Sequence, residues 1–65
     1  MKVWIARDNE FELYMYYNSK PIWYEEEKIF ESQCERISDC NKLPCILFPE
    51  IKSGECREFE LKEVQ

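Results

Sequence analysis

Histidine is missing from the chain altogether, and glycine occurs only once. Without His there is no ordinary general base to activate a Ser or Cys nucleophile, and no imidazole to complete a mixed zinc site. A single glycine, Gly54, excludes the glycine-rich loops that cradle phosphates. Long apolar runs are missing too, since no stretch approaches the roughly 20 residues of a membrane span. Val3-Trp4-Ile5-Ala6, after Met1-Lys2, is far shorter than the roughly 7 to 15 residues of a signal-peptide core, so the expected place of action is the cytoplasm. Positive charge is scarce: nine basic residues face fourteen acidic ones, a formal charge of −5. That sign argues against direct binding of duplex DNA or RNA, whose affinity comes from Lys and Arg displacing counterions, and it favours a protein partner with a basic surface.

What is present is apolar and aromatic bulk. Hydrophobic residues make up 45% of the 65 residues and aromatics 15%, which places the chain outside the composition of intrinsic disorder. Residues 1–65 are expected to form one small globular domain. A chain this short buries only about 60% of the surface its unfolded form exposes, so self-association into a symmetric dimer is an expected source of added stability.

The hydrophobic pattern predicts a mostly β fold, with a small α+β fold as the other possibility: a compact antiparallel sheet of about five short strands with one short helical turn. Val3 and Ile5 alternate with Lys2, Trp4 and Ala6 in a first strand over residues 2–7. Asp8-Asn9-Glu10 is read as a turn, and FELYMYY, Phe11 to Tyr17, as the second strand of a hairpin. Alternation sends Phe11, Leu13, Met15 and Tyr17 to the face of Val3 and Ile5, and Tyr14 and Tyr16 to the face of Trp4. Both faces of this hairpin therefore carry apolar bulk. Ile22-Trp23-Tyr24 reads as a third strand and residues 28–31 as a fourth, reversing at Glu25-Glu26-Glu27, with a helix over residues 25–37 as the alternative. Pro44 and Pro49 bracket a single helical turn, Ile51 to Glu55 is loop, and Cys56 to Val64 is a closing strand with Phe59 and Leu61 inward.

Four cysteines, Cys34, Cys40, Cys45 and Cys56, stand at spacings without the C-x2-C knuckle of most structural zinc sites. Packing as small hydrophobes, two disulfides and a zinc site are the three readings, and packing is preferred. No metal and no cofactor is expected. No catalytic residue is identified, and a fold of this size offers little room for a substrate cleft, so the chain reads as non-enzymatic.

Two features remain as a candidate binding site: the aromatic face of Trp4, Tyr14 and Tyr16, and the acidic run Glu25, Glu26 and Glu27. The ordinary alternatives are that the aromatics are core and the acids a solvated turn. As a site, they would act by occlusion: the glutamates steer the protein to a basic groove and the aromatics anchor it there.

MKVWIARD, LYMYYNSKP, LFPEIK and the terminal EFEL together resemble a loose set of small uncharacterised proteins carried by phages and prophages of anaerobic gut bacteria. The resemblance covers the first twenty or so residues, Leu47 to Lys52 and the last strand, while the cysteine-bearing middle departs from it. It implies a setting, an accessory protein of a mobile element acting in the cytoplasm of a host bacterial cell, and transfers no residue roles. In that setting the binding protein would be a phage-encoded inhibitor of a host defence protein, anti-CRISPR-like in action. A nucleotide-binding sponge or sensor using the aromatic face, and a structural oligomer subunit, are the alternatives.

Overall fold

The computed structural model describes residues 2–17, 19–33 and 40–60. Six strands follow in chain order: β1 (Lys2–Asn9), β2 (Glu12–Tyr17), β3 (Ile22–Tyr24), β4 (Ile29–Glu31), β5 (Cys40–Leu43) and β6 (Cys56–Glu60). β5, β2, β1 and β6 form an antiparallel sheet in that order, and β3 pairs with β4 in a separate two-stranded sheet. The fold is mostly β, and no helix occurs among the described residues.

The β1–β2 register pairs Trp4 with Tyr16, Ile5 with Met15 and Arg7 with Leu13, as the alternation requires. β1 runs further than expected because a bulge at Asp8 lets it continue to Asn9. The connection then shrinks to Glu10 and Phe11, and the Phe11 amide donates to Asn9 Oδ1 at 2.9 Å. Phe11 is consequently a turn residue, 67% exposed rather than inward.

Two further expectations are corrected. Residues 44–48 form a hydrogen-bonded turn, Leu47 N–H donating to the Pro44 carbonyl, but no helix. Pro49 disfavours the right-handed helical region at Phe48, which instead adopts a positive φ of 50° and ends the turn. The helical alternative for residues 25–37 also fails where it is described: residues 25–28 are a turn and Ile29–Glu31 a strand, the pairing of Phe30 with Trp23 overriding the helix propensity of the glutamates. Residues 34–37 lie outside the described residues, as do Leu61 to Val64 of the last expected strand.

Each face of the four-stranded sheet carries its own core. On one, Ile5 and Leu13 pack with Ile51, flanked by Met15, Leu43, Phe48 and Phe59. The cover here is the irregular segment 44–55. On the other, Ala6 and Tyr16 pack with Phe30, flanked by Trp4, Tyr14, Trp23, Cys40 and Cys56. The cover there is the β3–β4 hairpin, so the face that asked for a partner finds one within the chain.

Where this irregular segment turns Ile51 into the core, its backbone needs hydrogen-bond partners. Arg7, in phase with Val3 and Ile5 and only 6% exposed, supplies them. Its Nε–H donates to the Ile51 carbonyl at 2.7 Å, and its terminal nitrogens donate to the carbonyls of Leu47 at 2.9 Å and of Phe48 and Glu10 at 3.3 Å. The Arg7 backbone adds two more ties, its N–H to the Glu55 carbonyl and its carbonyl from the Gly54 N–H.

Candidate functional site

The aromatic face is built by strand phase: Trp4 on β1 lies opposite Tyr16 on β2, and Tyr14 lies opposite Ala6. The hairpin then covers much of it. Tyr16 is 4% exposed and its hydroxyl donates to the Phe30 carbonyl at 3.3 Å, so it is not accessible as an anchor. Burial pushes its phenol far above the ordinary range. Tyr14 and Trp4 are half-buried. The Tyr14 hydroxyl donates to Glu12 at 2.6 Å, and this bond to a carboxylate pushes its pKa up to about 12. Lys42 reaches the same carboxylate at 3.3 Å, and the two contacts hold Glu12 below its usual range. This half of the expected site is chiefly core and sheet surface.

The acidic half is different. Alternation along β3 and β4 turns Trp23 and Phe30 inward, their rings 4.8 Å apart, and turns Ile22, Tyr24, Ile29 and Glu31 outward. Ile22 is 43% and Tyr24 42% exposed. The strands are joined by Glu25, Glu26, Glu27 and Lys28, all exposed, closed by a 2.7 Å bond from the Lys28 N–H to the Tyr24 carbonyl. Lys28 takes a positive φ of 55° to make the reversal. Glu25 accepts the Trp23 indole N–H at 2.6 Å, which fixes the first glutamate against the hairpin. Three consecutive carboxylates thus stand at the tip of an apolar outer surface. Glu25, Glu26 and Glu27 are brought together with Tyr24 and Ile22, and not into one surface with Tyr16.

Sequence reasoning passed over Asp8. It sits at the bulge of β1, 9% exposed, and its Oδ1 accepts the Phe30 N–H at 3.0 Å, tying the hairpin to the main sheet. Its place inside a polar triplet before Phe11 looked like turn chemistry, and no residue pattern announced the bulge.

The thiols of Cys40 and Cys56 border the core under the hairpin and are pushed up by burial, while Cys45 is half-buried in the 44–55 segment; all three are free. Cys34 lies outside the described residues. Among the described residues no three Cys, Asp or Glu side chains converge as metal ligands would. None of the described residues forms a helix long and apolar enough to cross a membrane. Comparison with protein-family models, curated proteins and solved structures finds no match to the chain.

Proposed function

We propose that the protein is a non-enzymatic binding protein whose β3–β4 hairpin occludes a basic surface on a protein partner. The observation that carries this reading is the exposure of Ile22 and Tyr24 beside Glu25, Glu26 and Glu27. Apolar side chains held on a rigid strand pair offer anchors, and the carboxylates beside them supply attraction over a Debye length of roughly 10 Å at 0.1 M salt. Trp4 and Tyr14 flank the covered core and contribute at most at the margin; Tyr16 contributes stability. The target class that fits is a nucleic-acid-binding groove, lined with Lys and Arg and blocked by an acidic surrogate. A host defence complex is the instance suggested by the phage-like setting.

The test is competition. Labelled nucleic acid bound to a bacterial RNA-guided nuclease complex should be displaced by the protein, with an association rate that falls as salt rises. Replacing Glu25, Glu26 and Glu27 together by Gln should slow association and flatten its salt dependence. Tyr24→Ala should instead speed dissociation, by an amount corresponding to about 2 kcal/mol if the ring is an anchor. Displacement unchanged in all these variants, or no displacement by the wild-type protein, would remove this reading.

A further inference from the structure

Beneath the acidic turn lies a cleft of about 400 Å³, between the hairpin and the end of the 44–55 segment, bordered by Asp8, Trp23, Glu25, Lys28, Ser53 and Gly54. Three observations single it out. Asp8 is 9% exposed as a residue, and among the described residues the hydrogen bond to its carboxylate is the one that Oδ1 accepts from the Phe30 amide. Gly54 stands where a Cβ would lie 3.5 Å from Trp23 Cζ2 and 3.7 Å from Cε2, so bare backbone packs beside the indole and no side chain of residue 54 fills the cleft. The charges do not balance: two acids and one lysine border the cleft. The ion pairs of the described residues join Lys2 to Glu58 and Lys42 to Glu12, leaving Lys28 joined to neither acid.

We infer that this cleft receives one arginine side chain of the basic partner, an inference that rests on the function proposed above and names the contact that gives it specificity. A guanidinium is planar and weakly hydrated, and its fork of N–H groups donates to two carboxylates at once. Its positive charge would answer the one uncompensated negative charge, and its N–H groups would reach Asp8 Oδ2, which accepts no hydrogen bond among the described residues. A lysine ammonium carries the same charge, but it is more strongly hydrated and has no fork of donors to span two carboxylates. Burial holds the Asp8 carboxyl above its ordinary pKa despite the Phe30 amide, the response of a charged group without a cation beside it.

The experiment uses N-acetyl-argininamide and N-acetyl-lysinamide as probes of the intact protein at neutral pH, following the Trp23 indole N–H by NMR. The arginine probe should shift that resonance saturably, with the lysine probe weaker by about tenfold. Asp8→Asn keeps an oxygen for the Phe30 amide and should weaken the arginine probe several-fold; Glu25→Gln, at an exposed position that leaves the core intact, should do the same. Saturable binding lost in both variants supports the inference even if nucleic-acid displacement fails. Equal binding in wild type and variants, or no saturable shift, overturns it even if displacement succeeds.

Discussion

The Nε–H of Arg7 donates to the carbonyl oxygen of Ile51 at 2.7 Å, linking β1 to a residue 44 positions later and closing one core of the protein. Every bond of this guanidinium to another residue that is described above ends on a main-chain carbonyl, so it serves as a surrogate strand for a segment that has none.

Arg7→Met should therefore destabilise the protein by about 3 kcal/mol, because the buried Ile51 carbonyl loses its donor at roughly 1–3 kcal/mol and three part-buried carbonyls lose theirs at less. For a domain of this size that approaches the whole of its stability. Urea unfolding followed by tryptophan fluorescence measures it; a change within about 0.5 kcal/mol, the range of ordinary surface substitutions, would contradict the clamp.

Gly54→Ala should cost about 1 kcal/mol. The residue sits at φ +82°, where a side chain is strained, while the added Cβ would meet Trp23 only at ordinary contact distance, so the penalty is backbone strain. Thermal denaturation would show it, and a much larger loss would mean that the indole cannot give way.

Lys28→Gly should have the opposite sign. Lys28 occupies φ 55°, a conformation costing roughly 1–2 kcal/mol for an L-residue, and glycine removes that strain while giving part of it back as unfolded-state entropy. A net gain of about 0.5 kcal/mol, or some 2–4 °C in melting temperature, is expected. The same change removes a competing cation from the cleft and should tighten the arginine probe.

Asp8 should make the protein more stable in mild acid than at neutral pH, in contrast to Glu12. Its folded-state pKa is raised by burial, so between the unfolded and folded values the native chain binds more protons than the unfolded one, and stability rises as pH falls through that window. Glu12, lowered by Tyr14 and Lys42, contributes stability above its unfolded pKa that is lost as pH falls through its folded pKa. The groups around Asp8 are Glu12, Tyr14, Tyr16 and Cys40 on the sheet and Glu25 and Lys28 across the cleft, and all are retained in Asp8→Asn. Subtracting the pH–stability curve of that variant from wild type isolates the Asp8 contribution. The variant should be the more stable at pH 7, with the difference closing on acidification; a variant weaker at pH 7 than in acid, relative to wild type, would refute it.

The β1–β2 hairpin and its two apolar faces were legible because Val3, Ile5, Leu13 and Met15 keep strict alternation, and the turn at Glu25–Glu27 because it separates two short aromatic-bearing runs. β5 was not: in Cys40-Asn41-Lys42-Leu43 the two central residues are polar and exposed, and an edge strand paired on one side leaves little periodic trace. Arg7 did leave a signal, since it falls in phase with Val3 and Ile5, and a charge in phase with a core face needs buried partners. The exposed position of Glu25, Glu26 and Glu27 could be read from the sequence; the burial of Tyr16 could not, because alternation gives its face but not the hairpin that covers it.

β1 hydrogen-bonds to β2 on one side and to β6 on the other, Val3 pairing with both Tyr17 and Phe59. An early strand thus waits for a late one. During synthesis the β1–β2 hairpin emerges with the β1 edge open and Ile5 and Leu13 uncovered; β3–β4 reaches the face of Trp4 early, but Ile51 follows much later and the edge is not filled until residues up to 60 have left the ribosome. Completion is then abrupt: the same last stretch fills the edge, brings Phe59 against Phe48 and lets segment 44–55 close over Arg7. A ribosome paused before Cys56 would hold a sticky half-sheet rather than a smaller folded protein.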